Sequence, residues 1–507
     1  MDAPKLRIRA VELFERPVRF RKPFRFGAVT VDAAPQAFVR VLVDVEGKGE
    51  AWGCTAEMMM PKWFDKRPDR SPARTVDGLR RSLHLAAQGY GGGSRPGTAF
   101  GHHAEVRGAH EAACLAAGET RLTAAYGPAL LDKAVLDGLL RAVGVDFFAG
   151  MAGNVAGIDT HLTPDLEGFG LDGFLKELRP LAAVCLRHTV GLVDDVESLR
   201  ALVTSPHPLP LPRSAGEGHA ALPCDSGGGR GPAPESAGRV GASGCPRHFK
   251  IKLSGDPSAD LDRLRAIASV LDPVLGTYRA TLDGNEQYPD TAALAAFLDG
   301  LEADPALAAF RRALLYIEQP IARERALDEP LGPVGKRHAV IIDESDESYD
   351  AFPRARAMGY RGVSSKACKG LYKAVLNAAR CAAWNGNGSR HFISAEDLTC
   401  QAGLSVQQDT ALVALLGIGH AERNGHQYVD GFAGAPDEEA EAFLAAHPGF
   451  YARQDGPHGG GVRLNTGDGS LPTAPLRVPG FAHAAEPRWD SLQPLAAPAV
   501  VSKETVS

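Results

Sequence analysis

The sequence predicts an α/β fold, a TIM-type (β/α) barrel preceded by an α+β domain. Six short apolar runs end in charged residues, and they read FKIKL, ATLDGNE, LLYIEQP, VIIDES, GVSSK and FISAED. From Lys252 to Glu396, the successive charged residues are separated by 31, 35, 25, 23 and 30 residues. Each step has about the length of one strand, one helix and two loops, and repeated βα units build a parallel sheet that can close into a barrel.

The charged residues at the ends of these runs are candidates for one shared site. A single charge after a buried strand often marks only the return of the chain to solvent. A whole series at this period, with three carboxylates between two lysine sites, favours a common function. Because barrel enzymes carry their active sites where the strands end, we expect the following residues to converge on one mouth: Lys250, Lys252, Asp283, Glu318, Asp343, Lys366 and Glu396.

Residues 1–150 are predicted to form the α+β domain. Two stretches, KLRIRAVELFE and QAFVRVLVDVE, alternate apolar and polar residues as antiparallel strands do. The segment between them, RKPFRFGAVTVDAAP, is rich in turn-forming residues. Two later stretches, AEVRGAHEAACLAAGE and PALLDKAVLDGLLRAVG, have the apolar spacing of helices.

The barrel is predicted over residues 181–424. Residues 205–246 interrupt it with a stretch rich in Pro, Gly and Ser, which we expect to be a disordered insertion because it offers little apolar surface to bury. Residues 425–507 lack the βα period. We expect this segment to pack on the N-terminal domain and to be loose from about residue 489.

Composition and charge exclude some classes of function. The 507 residues include 55 Lys and Arg and 61 Asp and Glu, a net charge of −6. Nucleic-acid-binding domains usually need an excess of clustered basic residues. The N-terminus has no apolar core of signal-peptide length, and no window approaches the roughly 20 apolar residues of a membrane span. We therefore expect a cytoplasmic protein with a small-molecule partner and neither a nucleic acid nor a membrane as partner.

The three consecutive carboxylates, Asp283, Glu318 and Asp343, suit one hard divalent cation such as Mg²⁺. A metal-bound substrate carboxylate is easier to deprotonate at its α-carbon. Lys250 and Lys252 lie two residues apart on a strand and so share a face. Their repulsion, burial and the cation should disfavour the ammonium form, and Lys252, nearer the strand end, is the expected base.

Lys366 lies across the mouth, so that two lysines flank one carbon. Such an arrangement allows racemisation, epimerisation, or addition and elimination.

The motifs FKIKLSG, TLDGNEQY, YIEQPI, IIDES and SSKACKG closely resemble those of the enolase superfamily of mandelate racemase/muconate lactonizing enzyme type, and specifically its muconate lactonizing enzyme subgroup. The resemblance covers residues 181–419 well and the N-terminal domain in outline. It implies a (β/α)7β barrel with an α+β capping domain, a carboxylate substrate and a possible homo-oligomer. The eighth strand, within GIGHAERNGH, lacks the D-x-D signature of the dipeptide epimerases of this subgroup.

The resemblance also implies roles for single residues. Loops around residues 24–29 and 52–63 would close over the substrate, although the Met-rich part of the second could equally be core. Lys369 is interpreted as a solvated residue at a helix start, and His420 and Glu422 as structural. The implied site roles are Mg²⁺ ligands (Asp283, Glu318 and Asp343), acid/base residues (Lys252 and Lys366), a residue that tunes Lys252 (Lys250), support for the metal shell (Asn285 and Glu344) and the end of the seventh strand (Glu396).

Two other functions are compatible with the sequence. A barrel lysine such as Lys252 could form an imine in a metal-free Schiff-base lyase or aldolase, although the three carboxylates would then have no role. The chain could also be a non-catalytic barrel that binds a ligand. The insertion next to the strand of Lys250 motivates that second alternative.

Overall fold

The computed structural model describes residues 3–27, 29–91, 95–204, 246–454 and 460–498. Within these ranges the chain forms an N-terminal antiparallel sheet with helices, a closed parallel barrel, and a C-terminal segment that contacts both. The predicted insertion at residues 205–246 lies outside the described residues, apart from residue 246.

The N-terminal sheet contains β1 (Leu6–Phe26), β2 (Val29–Val45) and β3 (Gly49–Met58), all antiparallel. The segment predicted to be turn-rich is instead mostly strand, because β1 and β2 continue through it to a tight turn at Gly27. Gly27 has a φ of 52°, which suits glycine. The third strand was not predicted, although its last residues, CTAEM, alternate apolar and polar side chains.

Helices cover one face of this sheet, namely α1 (Pro72–Gly91), α2 (Ala99–Ala116) and α3 (Arg121–Val143). The third helix packs closely against β3, where Lys133 Nζ forms a buried ion pair with Glu57 Oε2 at 3.0 Å. Gly53 and Gly138 allow this approach, because a Cβ on Gly53 would lie 2.1 Å from the Gly138 nitrogen. Two short helices, α4 (Phe147–Ala152) and α5 (Leu171–Glu177), lead to the barrel.

The barrel consists of eight parallel strands, and the last strand pairs with the first, so that the sheet is closed. The predicted fold class is therefore confirmed. The strands are β4 (Ala183–Val190), β5 (His248–Lys252), β6 (Arg279–Asp283), β7 (Leu314–Glu318), β8 (Val340–Ile342), β9 (Gly362–Ser365), β10 (Phe392–Ala395) and β11 (His420–Glu422).

The helices of the barrel region alternate with its strands, as the βα period predicts. They are α6 (Val196–Thr204), α7 (Pro257–Leu275), α8 (Thr291–Ala303), α9 (Ala308–Ala313), α10 (Arg323–Ala326), α11 (Pro333–Arg337), α12 (Ala351–Ala357), α13 (Leu371–Asn385) and α14 (Leu404–Leu415). Within the described residues, no helix is both long and apolar enough to cross a membrane.

The strand register brings the carboxyl ends to one level. Lys252 at the end of β5 is paired with Asp283 at the end of β6, which is paired with Glu318 at the end of β7. Because neighbouring parallel strands end together, the charged residues that follow the buried runs meet at one mouth.

The C-terminal segment contains α15 (Asn424–Tyr428), α16 (Asp437–Ala446), β12 (Tyr451–Gln454), β13 (Gly461–Leu464), β14 (Ser470–Pro472) and β15 (Gln493–Pro494). It contacts the N-terminal domain through a buried bidentate pair, in which Arg16 donates to Glu439 at 2.8 and 2.6 Å.

The expectation of a loose chain from about residue 489 is wrong for residues 489–495. The strand β15 pairs with β1, and the Trp489 ring lies 5.5 Å from that of Phe14 and 4.9 Å from the Arg40 guanidinium. This aromatic and cationic contact orders a segment whose own sequence has no clear period.

A buried cluster around Asp137 in α3 also fixes the C-terminal segment. The Asp137 carboxylate accepts hydrogen bonds from the Cys54 amide at 2.8 Å and the Phe481 amide at 2.7 Å. His483 and Arg141 contact the same carboxylate at 3.0 Å. Burial alone would raise the pKa of Asp137, but these two side chains lower it to about 2.

We expect Asp137→Asn to lower the free energy of unfolding by about 3–5 kcal/mol, because it leaves buried charged partners uncompensated. Since the pKa of Asp137 in the folded protein lies below its ordinary value of 3.8, the stabilisation is present above that pH and is lost as the pH falls toward 2. Urea unfolding at several pH values measures this effect. The matched control is Asp490→Asn, whose side chain is 76% exposed, and equal losses in both variants would contradict the expectation.

Candidate functional site

The structure brings the seven predicted mouth residues together. Lys250 and Lys252 lie on β5, Asp283 ends β6 and Glu318 ends β7. The other three directly follow strands β8, β9 and β10 and are Asp343, Lys366 and Glu396. Each of the seven is at most 5% exposed. Burial of so many charges requires that they compensate one another.

Lys250 lies at the centre of the cluster. Its Nζ is 2.9 Å from Asp283, 2.7 Å from Glu318, 2.6 Å from Glu396 and 3.0 Å from Glu422. Burial alone would lower the pKa of Lys250, but these four carboxylates raise it well above its ordinary value. The expectation that crowding would disfavour the ammonium form is therefore wrong for Lys250.

The other two predicted lysines each bind one carboxylate of the trio predicted to hold a metal. Lys252 Nζ lies 2.6 Å from Asp283 Oδ2, and Lys366 Nζ lies 2.5 Å from Asp343 Oδ2. Although burial opposes it, the Asp343 charge raises the pKa of Lys366. The two lysines thus approach the trio from different strands, as the sequence predicts.

The carboxylate of Glu318 differs from those of Asp283 and Asp343, which both accept hydrogen bonds from lysines. Neither of its carboxylate oxygens makes a hydrogen bond within the described residues, although Oε2 lies close to Lys250 Nζ. Burial, together with the charges of Asp283 and Glu396, raises the pKa of Glu318 well above its ordinary value. The positive charge beside Glu318 is that of Lys250, which three further carboxylates share, so that the charge of Glu318 is only partly compensated.

The described site can accommodate a divalent cation. Asp283, Glu318 and Asp343 offer oxygen ligands at the ends of adjacent strands, the donor type that Mg²⁺ prefers. Besides the bare oxygens of Glu318, the Asn285 Oδ1 and Glu344 Oε2 atoms have no hydrogen-bond partner within the described part of the chain. A cation in contact with Glu318 would supply the missing charge.

The two predicted supporting residues differ in position. The Asn285 amide donates to Asp283 Oδ1 at 2.9 Å, and Asn285 adopts a left-handed φ of 41°. Such strained backbone is common at functional sites. Glu344 instead contacts the N-terminal domain, because its Oε1 lies 3.2 Å from Lys66 Nζ. Lys66 also forms an ion pair with Glu286.

A segment of the N-terminal domain, residues 61–66, covers the mouth. The Trp63 ring centre lies 4.2 Å from Lys366 Nζ, a distance at which a cation is attracted to an aromatic face. Arg323 of the barrel donates to the carbonyls of Trp63 and Phe64 at 3.1 and 3.3 Å. These contacts attach the segment to the barrel directly above the lysine.

The residues of the two predicted capping loops do not all lie at the mouth of the barrel. In the stretch 52–63, Met58, Met59 and Met60 are fully buried core residues, and Trp63 is the residue found over Lys366. In the stretch 24–29, residue 28 lies outside the described residues. Gly27 reaches the barrel loop after β6, since a Cβ on it would lie 2.9 Å from Gln287 Nε2.

Two residues of the centre were missed or set aside by the sequence analysis. Arg187 Nη2 lies 2.5 Å from Glu396 Oε2 and comes from the middle of β4. Glu422, interpreted as structural, ends β11 and contacts Lys250. The sequence contains a signal for both residues. Arg187 is a charged residue within a largely apolar strand, and Glu422 lies at the end of a barrel strand, as the predicted site residues do.

The interpretation of Lys369 as a solvated residue is wrong. Lys369 is 3% exposed, and its Nζ lies 3.2 Å from Asp343 Oδ1 and 3.3 Å from Asp346 Oδ2. A short 3₁₀ turn, Ala367–Lys369, follows β9 and directs the side chain inward. The spacing K-A-C-K alone does not show which lysine faces the carboxylates.

We expect opposite effects from two neutral substitutions in the trio. In EDTA, Glu318→Gln should leave the urea midpoint unchanged or raise it, because it removes a buried charge that shares the one ammonium group of Lys250 with three other carboxylates. Asp343→Asn should cost about 3–5 kcal/mol, because it leaves buried Lys366 without its carboxylate and Lys369 with that of Asp346 alone. Both variants should lose Mg²⁺ binding by calorimetry. A Glu318→Gln variant destabilised as much as Asp343→Asn would contradict this account of the charges.

Comparison with known proteins gives structural likeness without close sequence likeness. No family model and no curated protein matches the chain. A mandelate racemase/muconate lactonizing protein from Herpetosiphon aurantiacus is 16% identical, with a TM-score of 0.54 over 95% of this chain and 99% of that one.

Two further structures are crystallised with magnesium. A dipeptide epimerase from Cytophaga hutchinsonii, complexed with Mg and the dipeptide D-Ala-L-Val, is 13% identical, with a TM-score of 0.56 over 96% of this chain and 98% of that one. An enolase from Bradyrhizobium, complexed with magnesium and mandelic acid, is 15% identical, with a TM-score of 0.55 over 96% and 97%. The chain therefore has the fold of mandelate racemase/muconate lactonizing and enolase-superfamily structures.

Proposed function

We propose that the protein is a Mg²⁺-dependent enzyme that removes the α-proton of a small carboxylate substrate and forms an enolate. The observation that carries the proposal is the trio Asp283, Glu318 and Asp343, which includes bare buried oxygens and is flanked by Lys252 and Lys366. Two structures of the same fold, complexed with magnesium and either a dipeptide or mandelic acid, support the choice of metal and substrate class.

The trio would hold the metal. When bound, the cation supplies electrostatic stabilisation for negative charge that develops on the substrate carboxylate. Glu318 would contribute its two oxygens, and Asp283 and Asp343 would contribute carboxylate oxygens that now contact Lys252 and Lys366. These two lysines would then be available at the mouth.

Lys252 is the proposed base, whose Nζ takes the proton from the substrate α-carbon. Lys366 is the proposed acid on the opposite side, and its Nζ returns a proton or supplies one to a leaving group. Lys250 has a different role, because four carboxylates hold it in the ammonium form. It provides a fixed positive charge beside Glu318 and Glu396 and does not move a proton.

The covering segment would exclude water and orient the substrate. The mouth residues are almost completely buried, and Trp63 lies over Lys366. A substrate must therefore displace or move residues 61–66 before it reaches the lysines. The product could arise by racemisation or epimerisation, by cycloisomerisation of the muconate type, or by loss of water, since each begins with the same proton transfer.

The metal-free imine mechanism receives less support from the geometry. Three carboxylates and four lysines in direct contact are instead suited to binding a cation in exchange for ammonium groups.

We expect Mg²⁺-loaded protein in deuterium oxide to exchange the α-proton of at least one acid in a panel of N-acyl amino acids, dipeptides, 2-hydroxy acids and sugar acids. NMR or mass spectrometry measures the incorporation, and EDTA should abolish it. Lys252→Met and Lys366→Met should each lower exchange by about 10²–10⁴-fold, the usual contribution of a positioned acid or base. If both lysines serve as bases, each variant should lose exchange of one enantiomer.

The matched control is Lys176→Met, which changes an exposed lysine of α5 and should leave exchange unchanged. Borohydride trapping of a carbonyl substrate on Lys252 without metal would overturn the proposal in favour of the imine mechanism. Absence of exchange across the whole panel would favour the non-catalytic barrel.

A further inference from the structure

We propose that Lys369 is a positioning residue, which holds the Asp343 carboxylate at the mouth while Lys366 leaves that carboxylate to act on the substrate. This inference rests on the proposed function. The sequence pattern predicts Lys369 to be solvated, but the residue is buried. Lys369 also contacts several residues, whereas Lys366 is paired with one carboxylate.

The two lysines share one carboxylate from opposite sides. Lys366 Nζ lies 2.5 Å from Asp343 Oδ2, and Lys369 Nζ lies 3.2 Å from Asp343 Oδ1. Ser364 also donates to Oδ1. If Lys366 turns toward a substrate, the described side-chain partners that remain on the Asp343 carboxylate are Ser364 and Lys369, both on Oδ1. Of these two, Lys369 carries the positive charge.

Lys369 is held in place by a cage of acceptors. Besides the carboxylate, its ammonium lies 2.8 Å from the Ser364 carbonyl, 2.9 Å from Ser364 Oγ and 3.1 Å from the Asp343 carbonyl. Asp346 adds a further contact at 3.3 Å. More acceptors surround the ammonium than its three protons can serve, so the side chain has no geometric reason to leave.

Lys366 is held much less firmly. Within the described residues its Nζ pairs with one carboxylate, that of Asp343, and faces the Trp63 ring. An aromatic face attracts a cation without a directional hydrogen bond. Release of Lys366 therefore breaks one ion pair, whereas release of Lys369 would break contacts to three residues. The geometry separates a movable lysine from a fixed one.

The contacts of Lys369 also join two strand ends. The paired register of β8 and β9 ends at Ile342 and Val363. At the next position, Lys369 binds the carbonyls of both Asp343 and Ser364. The ammonium thus fixes the metal-binding carboxylate relative to β9, from which Lys366 follows two residues after Ser364.

Lys373 provides a matched control. It is buried like Lys369 and lies near the start of α13, four residues further along the chain. Its Nζ lies 3.2 Å from Asp346 Oδ2. Its described contacts are to Asp346 and not to Asp343. Lys373→Met therefore removes a buried lysine from the same region and leaves the Asp343 contacts intact.

The first experiment is a double-mutant cycle in EDTA, which does not depend on the metal or on activity. Contacting residues give non-additive losses. The combined Lys369→Met and Asp343→Asn variant should therefore lose less urea stability than the sum of the single variants. The cycle of Lys373→Met with Asp343→Asn should deviate from additivity clearly less, because the described contacts of Lys373 are to Asp346 and reach Asp343 only through Lys369. Additive losses in both cycles would overturn the positioning contact, whatever the function of the protein.

The second experiment uses Mn²⁺- and Mg²⁺-loaded protein. Lys369→Met should change the electron paramagnetic resonance spectrum of bound Mn²⁺ and lower kcat for α-proton exchange by about 10–100-fold, as expected for partners of metal ligands. Lys369→Arg, which keeps the charge and several donors, should restore part of kcat. Lys373→Met should retain the wild-type spectrum and a kcat within about threefold, well inside the margin expected for such partners.

The outcomes distinguish this inference from the proposed function. If wild-type protein binds no Mn²⁺ and exchanges no proton, the proposed function fails, while the cycle in EDTA still tests the contact. If wild-type protein is active and Lys369→Met matches Lys373→Met in spectrum and kcat, the positioning role is overturned and the proposed function stands. Should Lys369→Met fail to fold, Lys369→Arg and Lys369→Gln supply the same comparison.

Discussion

The arrangement of this barrel mouth depends on the compensation of buried charge around Lys250. One ammonium group contacts carboxylates from four strands, β6, β7, β10 and β11. Burial of these four carboxylates without cationic partners would be costly, and each is brought near the ammonium group because the strands end at the same level. Because the closed barrel brings these strand ends together, the single ammonium group of Lys250 can compensate carboxylates from four strands.

The charge within the trio is unevenly distributed. Asp343 is contacted by Lys366, Lys369 and Ser364, and the two lysines lower its pKa well below the ordinary value despite burial. Glu318 has no hydrogen bond from the described residues and a raised pKa. Functional sites are commonly places where a protein gives up stability. The bare oxygens of Glu318 fit that pattern, and they define where added positive charge is most favourable.

The N-terminal domain and the C-terminal segment contribute to the same mouth from outside the barrel. Lys66 and Trp63 contact Glu344 and Lys366, respectively. The C-terminal segment pairs with β1 and is fixed by Asp137 of α3. The covering segment thus belongs to a domain that is itself held by the end of the chain, so that its position over the lysines is set by contacts distant from the chemistry.

Local sequence was enough to predict the barrel and the convergence of seven charged residues, because buried strands and their following loops have a regular period. The same period located Asp283, Glu318 and Asp343 on consecutive strands. It did not extend to β3, or to β15, which pairs with β1 near the other end of the described chain. The charges of Arg187 and Glu422 were visible, but their partners, Glu396 and Lys250, come from other strands.

The sequence by itself determined the order of the strands and the identity of the charged groups at their ends, since both follow from short-range patterns of apolar and polar residues. Only the tertiary structure decided which ammonium group lies beside which carboxylate. It placed Lys369 inside and Glu344 against the N-terminal domain, and among the described residues it gave Glu318 no hydrogen-bond partner. These outcomes depend on distances between side chains from different strands, and electrostatic interactions at such short range change strongly with small changes in position.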